Sequence, residues 1–247
     1  MKKILLCGAV HEKKEIFELH LESIRNLEIP NEIQLDSIYI LHNCEHLKDL
    51  FTTENYMIYN NQTKYEKDEI THNWQNNNFK DVVNMKNTLL HYALKYNYDY
   101  IFFIDSDIIL HPKSLKSLLN ADKDMISNIF WTKWQPQDEP NPNAWDFDNY
   151  SFIDGTMQKL KTKGYHRVGM TGACTLIKRK ILESGVNWNP ISNVSYSFWE
   201  DRAFCIKVAI NNFEIWTDSH YPAIHLYRES DVKYYLSKRG ENNEYIY

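Results

Sequence analysis

No stretch of this 247-residue sequence approaches the roughly 20 consecutive apolar residues that cross a bilayer, and Met1 to Val10 is too short for a secretory leader with its cleavage site. A membrane-spanning or exported chain is therefore not expected; the default location is the cytoplasm, with peripheral membrane contact left open. An excess of positive charge is also missing. With 28 Lys and Arg against 33 Asp and Glu, the formal net charge of −5 gives no general footprint for nucleic acid. The four cysteines, Cys7, Cys44, Cys174 and Cys205, form no C-x-x-C pair, so they read as buried free thiols. Neither G-x-G-x-x-G nor G-x-x-x-x-G-K-[ST] occurs, which removes support for a dinucleotide-binding turn or a P-loop. No internal repeat and no low-complexity segment is present.

What is present suits one sizeable core: 43% hydrophobic residues over a length typical of one α/β domain. The first half alternates short apolar runs with amphipathic stretches, which predicts βα units and a mainly parallel sheet flanked by helices. Strands are expected at Ile4–Cys7, Ser37–Leu41 and Tyr56–Tyr59, with helices over Glu12–Leu27, near Glu45–Phe51 and over Phe79–Tyr96. Asn60–Asn78 reads as a loop. Tyr100–Ile104 is the strongest strand, Asp124–Phe130 another, and Pro112 is expected to open a helix at its first turn. The later part reads as an irregular stretch at Trp131–Tyr165, a strand at Gly172–Ile177, helices at Arg179–Ser184 and Glu200–Ile210, two separate strands at Phe213–Thr217 and Ala223–Leu226, and a partly helical tail from Ser230. Aromatic residues make up 14% of the chain, and several lie in polar loops, where a ring suits sugar stacking as well as ordinary packing.

The chemistry concentrates where the strongest strand runs out, in Asp105-Ser106-Asp107. Ligands of open α/β sheets bind at the carboxyl ends of the strands. Two carboxylates there concentrate negative charge, and oxygen donors select a hard cation such as Mg2+ or Mn2+, which bridges phosphate oxygens. The competing reading is a pair of turn-capping aspartates. Further on, Trp199-Glu200-Asp201 opens a helix, where acids also favour the macrodipole, and His225 ends a short apolar segment, where a structural histidine is the commoner finding.

Through Phe102-Phe103-Ile104-Asp105-Ser106-Asp107 the sequence resembles the GT-A glycosyltransferases, particularly the family 2-like and Anp1-like groups. The resemblance extends over most of the chain in the order of its features. It implies a Rossmann-like GT-A fold in a single domain, with a nucleotide-sugar-binding half at 1–130, an acceptor and catalytic half at 131–229 and a tail at 230–247. It implies a metal-dependent transfer from a nucleotide-sugar donor, UDP-linked by expectation, to a carbohydrate or other hydroxyl acceptor with Mn2+ or Mg2+, and inversion at the anomeric carbon. By the same resemblance, Asp107 is a direct metal ligand, Asp105 a ribose or water-mediated metal contact, Ser106 a donor contact and His225 a further ligand. Asp201 is the acceptor-deprotonating base, with Glu200 as alternate; a carboxylate suits that work. Ala9, His11 and Asn43 are expected near base and ribose, Lys86 at the nucleotide and Arg228 at the diphosphate. Gly169–Ala173 is a candidate donor-sugar or acceptor wall, and Trp131, Trp134 and Trp145 are candidates for acceptor stacking. Two rivals remain: a nucleotidyltransferase of similar sheet, disfavoured by an opening loop with one glycine, and a binding protein without turnover.

Overall fold

In the computed structural model, which describes residues 1–64, 66–67, 72–73, 75–148, 150–151, 154–196 and 199–242, strands and helices alternate through the first half as their apolar periods predict. In chain order the elements are β1 (Lys2–Val10), α1 (Lys14–Arg25), β2 (Ile33–His42), a 3-10 turn (Glu45–Leu50), β3 (Asn55–Tyr59), the two-residue strands β4 (Glu66–Lys67) and β5 (His72–Asn73), and α2 (Asn76–Lys95). They continue with β6 (Tyr100–Phe103), β7 (Ile108–Ile109), α3 (Ser114–Asn120), β8 (Met125–Thr132), β9 (Asn141–Pro142), β10 (Ala144–Trp145), α4 (Asp154–Leu160), β11 (Tyr165–Val168) and β12 (Met170–Thr171). The last are β13 (Thr175–Lys178), α5 (Arg179–Glu183), α6 (Glu200–Ile210), β14 (Ile215–His225) and α7 (Glu229–Asn242). Part of the expected 60–78 loop, and residues 243–247 of the tail, lie outside the described residues.

The main sheet has the order β11-β14-β8-β13-β6-β1-β2-β3, with β7 on β14 and β9 on β8. It is parallel from β6 through β1 and β2 to β3, and mixed on the other side, where β13 runs antiparallel to both β6 and β8. β1 is buried on both faces because its side chains alternate between two cores. Leu5 and Cys7 pack with Val83, Leu89 and Leu90 of α2, whereas Ile4, Leu6 and Val10 pack with Phe17 and Leu21 of α1. All four cysteines are free and buried, as expected. No helix among the described residues is long and apolar enough to cross a membrane.

Three features aim the acidic turn. β6 stays in register with β1, and the Ile104 amide donates to the Cys7 carbonyl, so Asp105 emerges just past the sheet edge. Gly8 makes room there: a Cβ would lie 2.1 Å from the Ile104 carbonyl oxygen, closer than any side chain tolerates. Beyond Asp107 the chain is clamped from both sides. His20 of α1 reaches the Ile108 carbonyl through Nδ1 at 2.7 Å and the Tyr39 hydroxyl through Nε2 at 2.9 Å. On the other side, β7 pairs with the end of β14, setting His225 opposite Ile108.

Four local expectations change. Pro112 lies before α3 rather than in its first turn, its carbonyl accepting from the Glu28 amide. The strand expected over Gly172–Ile177 breaks into β12 and β13 because Ala173 and Cys174 take left-handed conformations, φ 31° and 49°. The two late strands are one, β14, whose register against β8 shifts between Asp218 and Ala223. The irregular stretch after β8 contains β9, β10 and α4.

Candidate active site

The end of β14 and the acidic turn meet at the floor of a cavity of about 250 Å3. Asp107 Oδ2 lies 3.3 Å from His225 Nε2, both side chains being almost closed to water. The Leu226 amide donates to the Asp107 carbonyl, and Thr132 Oγ1, at the end of β8, lies 2.7 Å from His225 Nδ1. The histidine ring is thus oriented through one nitrogen, leaving the other beside the carboxylate, an arrangement typical of an imidazole prepared as a metal ligand. Burial opposes charge on His225, but Asp107 at contact and Asp105 nearby outweigh it and hold its pKa above the ordinary value.

Asp105 faces the same cavity. Its carboxylate is open to that space, yet protein surrounds the space closely enough that desolvation raises its pKa. Lys86 opposes this rise while Asp107, Asp201 and Glu200 reinforce it, and the balance stands at about 7. Ser106 lines the cavity beside it and is buried.

Across the cavity, α6 begins with Glu200 and Asp201, over the same bounds its sequence predicts. Both acids face Lys86 of α2: Nζ donates to Asp201 Oδ1 at 2.8 Å and to Glu200 Oε1 at 2.9 Å. Lys86 is not a solvated helix lysine. Its side chain is only 8% exposed, and its ammonium lies 6.0 Å from the Trp188 ring centroid; that ring in turn stacks on Phe204. Burial would strip its proton, but Asp201, Glu200 and Asp105 keep its pKa well above the ordinary lysine value. Glu200 is shifted upward, by burial first and by Asp201 next, against the pull of Lys86. Gly172 belongs to this arrangement, since a Cβ there would lie 2.8 Å from Asp201 Oδ2.

Ala9, His11, Lys86, Asp105, Ser106, Asp107, Glu200, Asp201 and His225 all line the one cavity, as do Trp134, Trp145, Gly172 and Ala173. Asn43, Trp131 and Arg228 are not among its lining residues. The Asn43 side chain turns to Asn61 and the Thr63 carbonyl, and its neighbour His42 takes the place at the wall. Arg228 donates through Nη1 to the Lys133 carbonyl at 2.6 Å and through Nη2 to the Trp134 carbonyl at 2.7 Å. Trp131 lies under Lys161. Sequence reasoning missed Asn143, a lining residue whose amide receives the Phe130 N–H and donates to the carbonyls of Asn128 and Gly172. Nothing in its Pro- and Asn-rich surroundings marks it, because its partners come from β8 and from Gly172 just past β12.

A cavity lined by acids at the carboxyl edge of this sheet, reached by a histidine from the last strand, sits on a fold of GT-A type. Residues 31–134, less than half of the chain, match the family model described as glycosyltransferase family 25, N-terminal domain. Similar solved structures include the mannosyltransferase PcManGT from Pyrobaculum calidifontis in complex with GDP-Man and Mn2+, at 11% identity and TM-score 0.57 over 95% of this chain and 60% of that one. TarS from S. aureus in complex with UDP-GlcNAc is similar at 14% identity and TM-score 0.52, covering 91% of this chain and 58% of that one. GalNAc-T7 with UDP, GalNAc and Mn2+ is similar at 13% identity and TM-score 0.58, covering 92% and 44%. The chain therefore spans less than two thirds of the length of each. No curated protein sequence matches it.

Proposed function

We propose that the chain transfers a sugar from a nucleoside diphosphate sugar to a hydroxyl acceptor with inversion, using a divalent cation. The observation that carries this reading is the approach of Asp107 Oδ2 to His225 Nε2 at the cavity floor, opposite the Glu200 and Asp201 pair. No group of three or more His, Cys, Asp or Glu side chains is arranged for a metal among the described residues. The donor set fits a cation that takes one carboxylate and one imidazole from protein and the rest from phosphate oxygens and water, as Mg2+ and Mn2+ do in nucleotide sites. Asp107 and His225 would hold it, with Asp105 beside them; when bound, it offsets charge on the departing diphosphate.

The chain's own residues do the remainder. Ala9, His11 and Ser106 line the space for nucleotide and ribose. Asp201 is the proposed base, with Glu200 as alternate: its carboxylate takes the acceptor hydroxyl proton as the new C–O bond forms and the bond from the anomeric carbon to the diphosphate breaks. Lys86 positions both acids and offsets their negative charge before substrate arrives. A UDP-linked donor is the preferred assignment, GDP-mannose the alternative.

The test is turnover of UDP-GlcNAc, UDP-galactose, UDP-glucose and GDP-mannose with Mn2+ or with chelator. At least one donor should be consumed only with the cation, and Asp107→Ala should abolish this. Full turnover in that variant, or consumption of a nucleoside triphosphate with a sugar phosphate instead, would remove the proposal.

A further inference from the structure

Three aromatic side chains stack on one another at the surface without being withdrawn from water. The rings of Tyr150 and Tyr196 lie 5.5 Å apart and 23° from parallel, those of Tyr196 and Trp199 5.0 Å apart at 25°, and those of Tyr150 and Trp199 6.4 Å apart at 5°. Tyr150 is 51% exposed, Tyr196 47% and Trp199 37%. A group serving only to pin two loops together would be buried, as the Phe103, Trp188 and Phe204 rings are beneath Lys86. Exposed apolar area gathered in one place marks an interaction surface.

Its location says what kind. Trp199 is the residue before α6, immediately ahead of the cavity-lining acids Glu200 and Asp201. Tyr150 comes from the segment that follows cavity-lining Trp145 and folds back through the Ser151 carbonyl, which accepts from the Asp146 amide. The three rings do not line the cavity themselves; two of them are close neighbours in the chain of residues that do. Tyr196 is held there at a cost: its φ of 58° is a left-handed conformation, uncommon for a bulky residue and retained where the surroundings or a function require it. The Arg202 guanidinium lies 5.4 Å from the Tyr150 ring centroid and brings several N–H donors to the same group. Near-parallel ring faces bordered by donors suit a pyranose, whose C–H face is apolar and whose rim carries hydroxyls. They suit an extended peptide less well, because that would seek a free strand edge, whereas Trp199 opens a helix.

We propose that Tyr150, Tyr196 and Trp199 form a platform for a saccharide acceptor, so that the hydroxyl deprotonated at Asp201 belongs to a sugar already seated on these rings. This rests on the glycosyltransferase reading for its chemistry, but binding tests it separately from turnover.

The experiment is binding of the purified chain to a printed array of defined oligosaccharides, with and without UDP and Mn2+, alongside array positions carrying peptides and lipid headgroups. The wild type should bind a subset of the saccharides. Tyr150→Ala and Tyr196→Ala should each lower that signal about tenfold, while Tyr196→Phe, which keeps the ring, should retain it; melting midpoints check that each variant is folded. The platform is overturned if the wild type binds no saccharide, if it prefers peptide or lipid, if both alanine variants bind as well as the wild type, or if Tyr196→Phe loses as much as Tyr196→Ala. Lack of donor consumption by the wild type would instead count against the enzymatic reading.

Discussion

Lys86 Nζ lies 2.8 Å from Asp201 Oδ1 and 2.9 Å from Glu200 Oε1, so one buried cation on α2 governs both acids that open α6. Removing it as Lys86→Met leaves two carboxylates facing each other beside a cavity that already holds Asp105. Breaking a buried pair costs about 3 kcal/mol, less here because Asp201 keeps 26% of its side chain open to water. The melting midpoint should fall. Lost positive charge also makes Glu200 and Asp105 harder to ionise, so the acid limb of the pH profile for kcat/KM should move to higher pH. A Lys86→Met profile superimposable on the wild type would contradict this role.

Asp105, raised to about 7, is partly protonated near neutrality, and a cation arriving beside it favours the ionised form. Binding of Mn2+ with a UDP-linked donor at pH 7 should release protons, roughly half of one from Asp105 by its position on its titration curve. His225, also raised, adds to the release. The release should fade toward pH 9 and shrink in Asp105→Asn. Calorimetry in buffers of different ionisation enthalpy reads it directly; equal release at pH 7 and pH 9 would count against the assignment.

His20 is buried and neutral, its pKa lowered by desolvation to about 4 despite its bond to the Ile108 carbonyl. A group of this kind binds its proton more readily in the unfolded chain, so stability is lost as pH falls from the ordinary histidine value toward 4. Between pH 7 and pH 5 this single residue should cost about 2 kcal/mol of unfolding free energy. Urea titrations at the two pH values should show that difference shrinking in His20→Phe, even though the variant is less stable overall. An unchanged pH dependence would show that the buried ring is not its source.

Gly172 is where a single methyl group should separate turnover from stability. A Cβ there meets the far end of the Asp201 side chain, a group able to rotate away, so the fold should lose little. The displaced carboxylate should cost kcat while KM for the donor stays near the wild-type value. A Gly172→Ala enzyme of normal kcat would argue against Asp201 as the base.

Much of this architecture was legible because it is written in local periodicity. β1, β6 and α6 follow from uninterrupted apolar runs or helical spacing, and the acidic turn is marked by where the strongest run stops. His225 and Asp107 were each singled out, although only the pairing of β7 with β14 brings them together. What stayed hidden depends on distant partners or on tolerated backbone strain. Nothing near Lys86 announces the acids it holds, and nothing near Arg228 announces the two loop carbonyls it binds. The break at Ala173 and Cys174 could not be read because neither residue favours a left-handed conformation. β14 looked like two strands because the stretch from Asp218 to Pro222 is polar or turn-forming, yet it stays extended through its register shift.

Asp107 and His225 should together grip a cation that also holds a diphosphate. Titration calorimetry of UDP into the protein, with Mn2+ and then with chelator, tests this without requiring the sugar or acceptor to be known. Mn2+ should tighten UDP binding at least about tenfold, and Asp107→Asn and His225→Gln should each remove that gain while remaining folded. Mn2+-enhanced binding that persists in both variants, or UDP binding that is indifferent to the chelator, would contradict it.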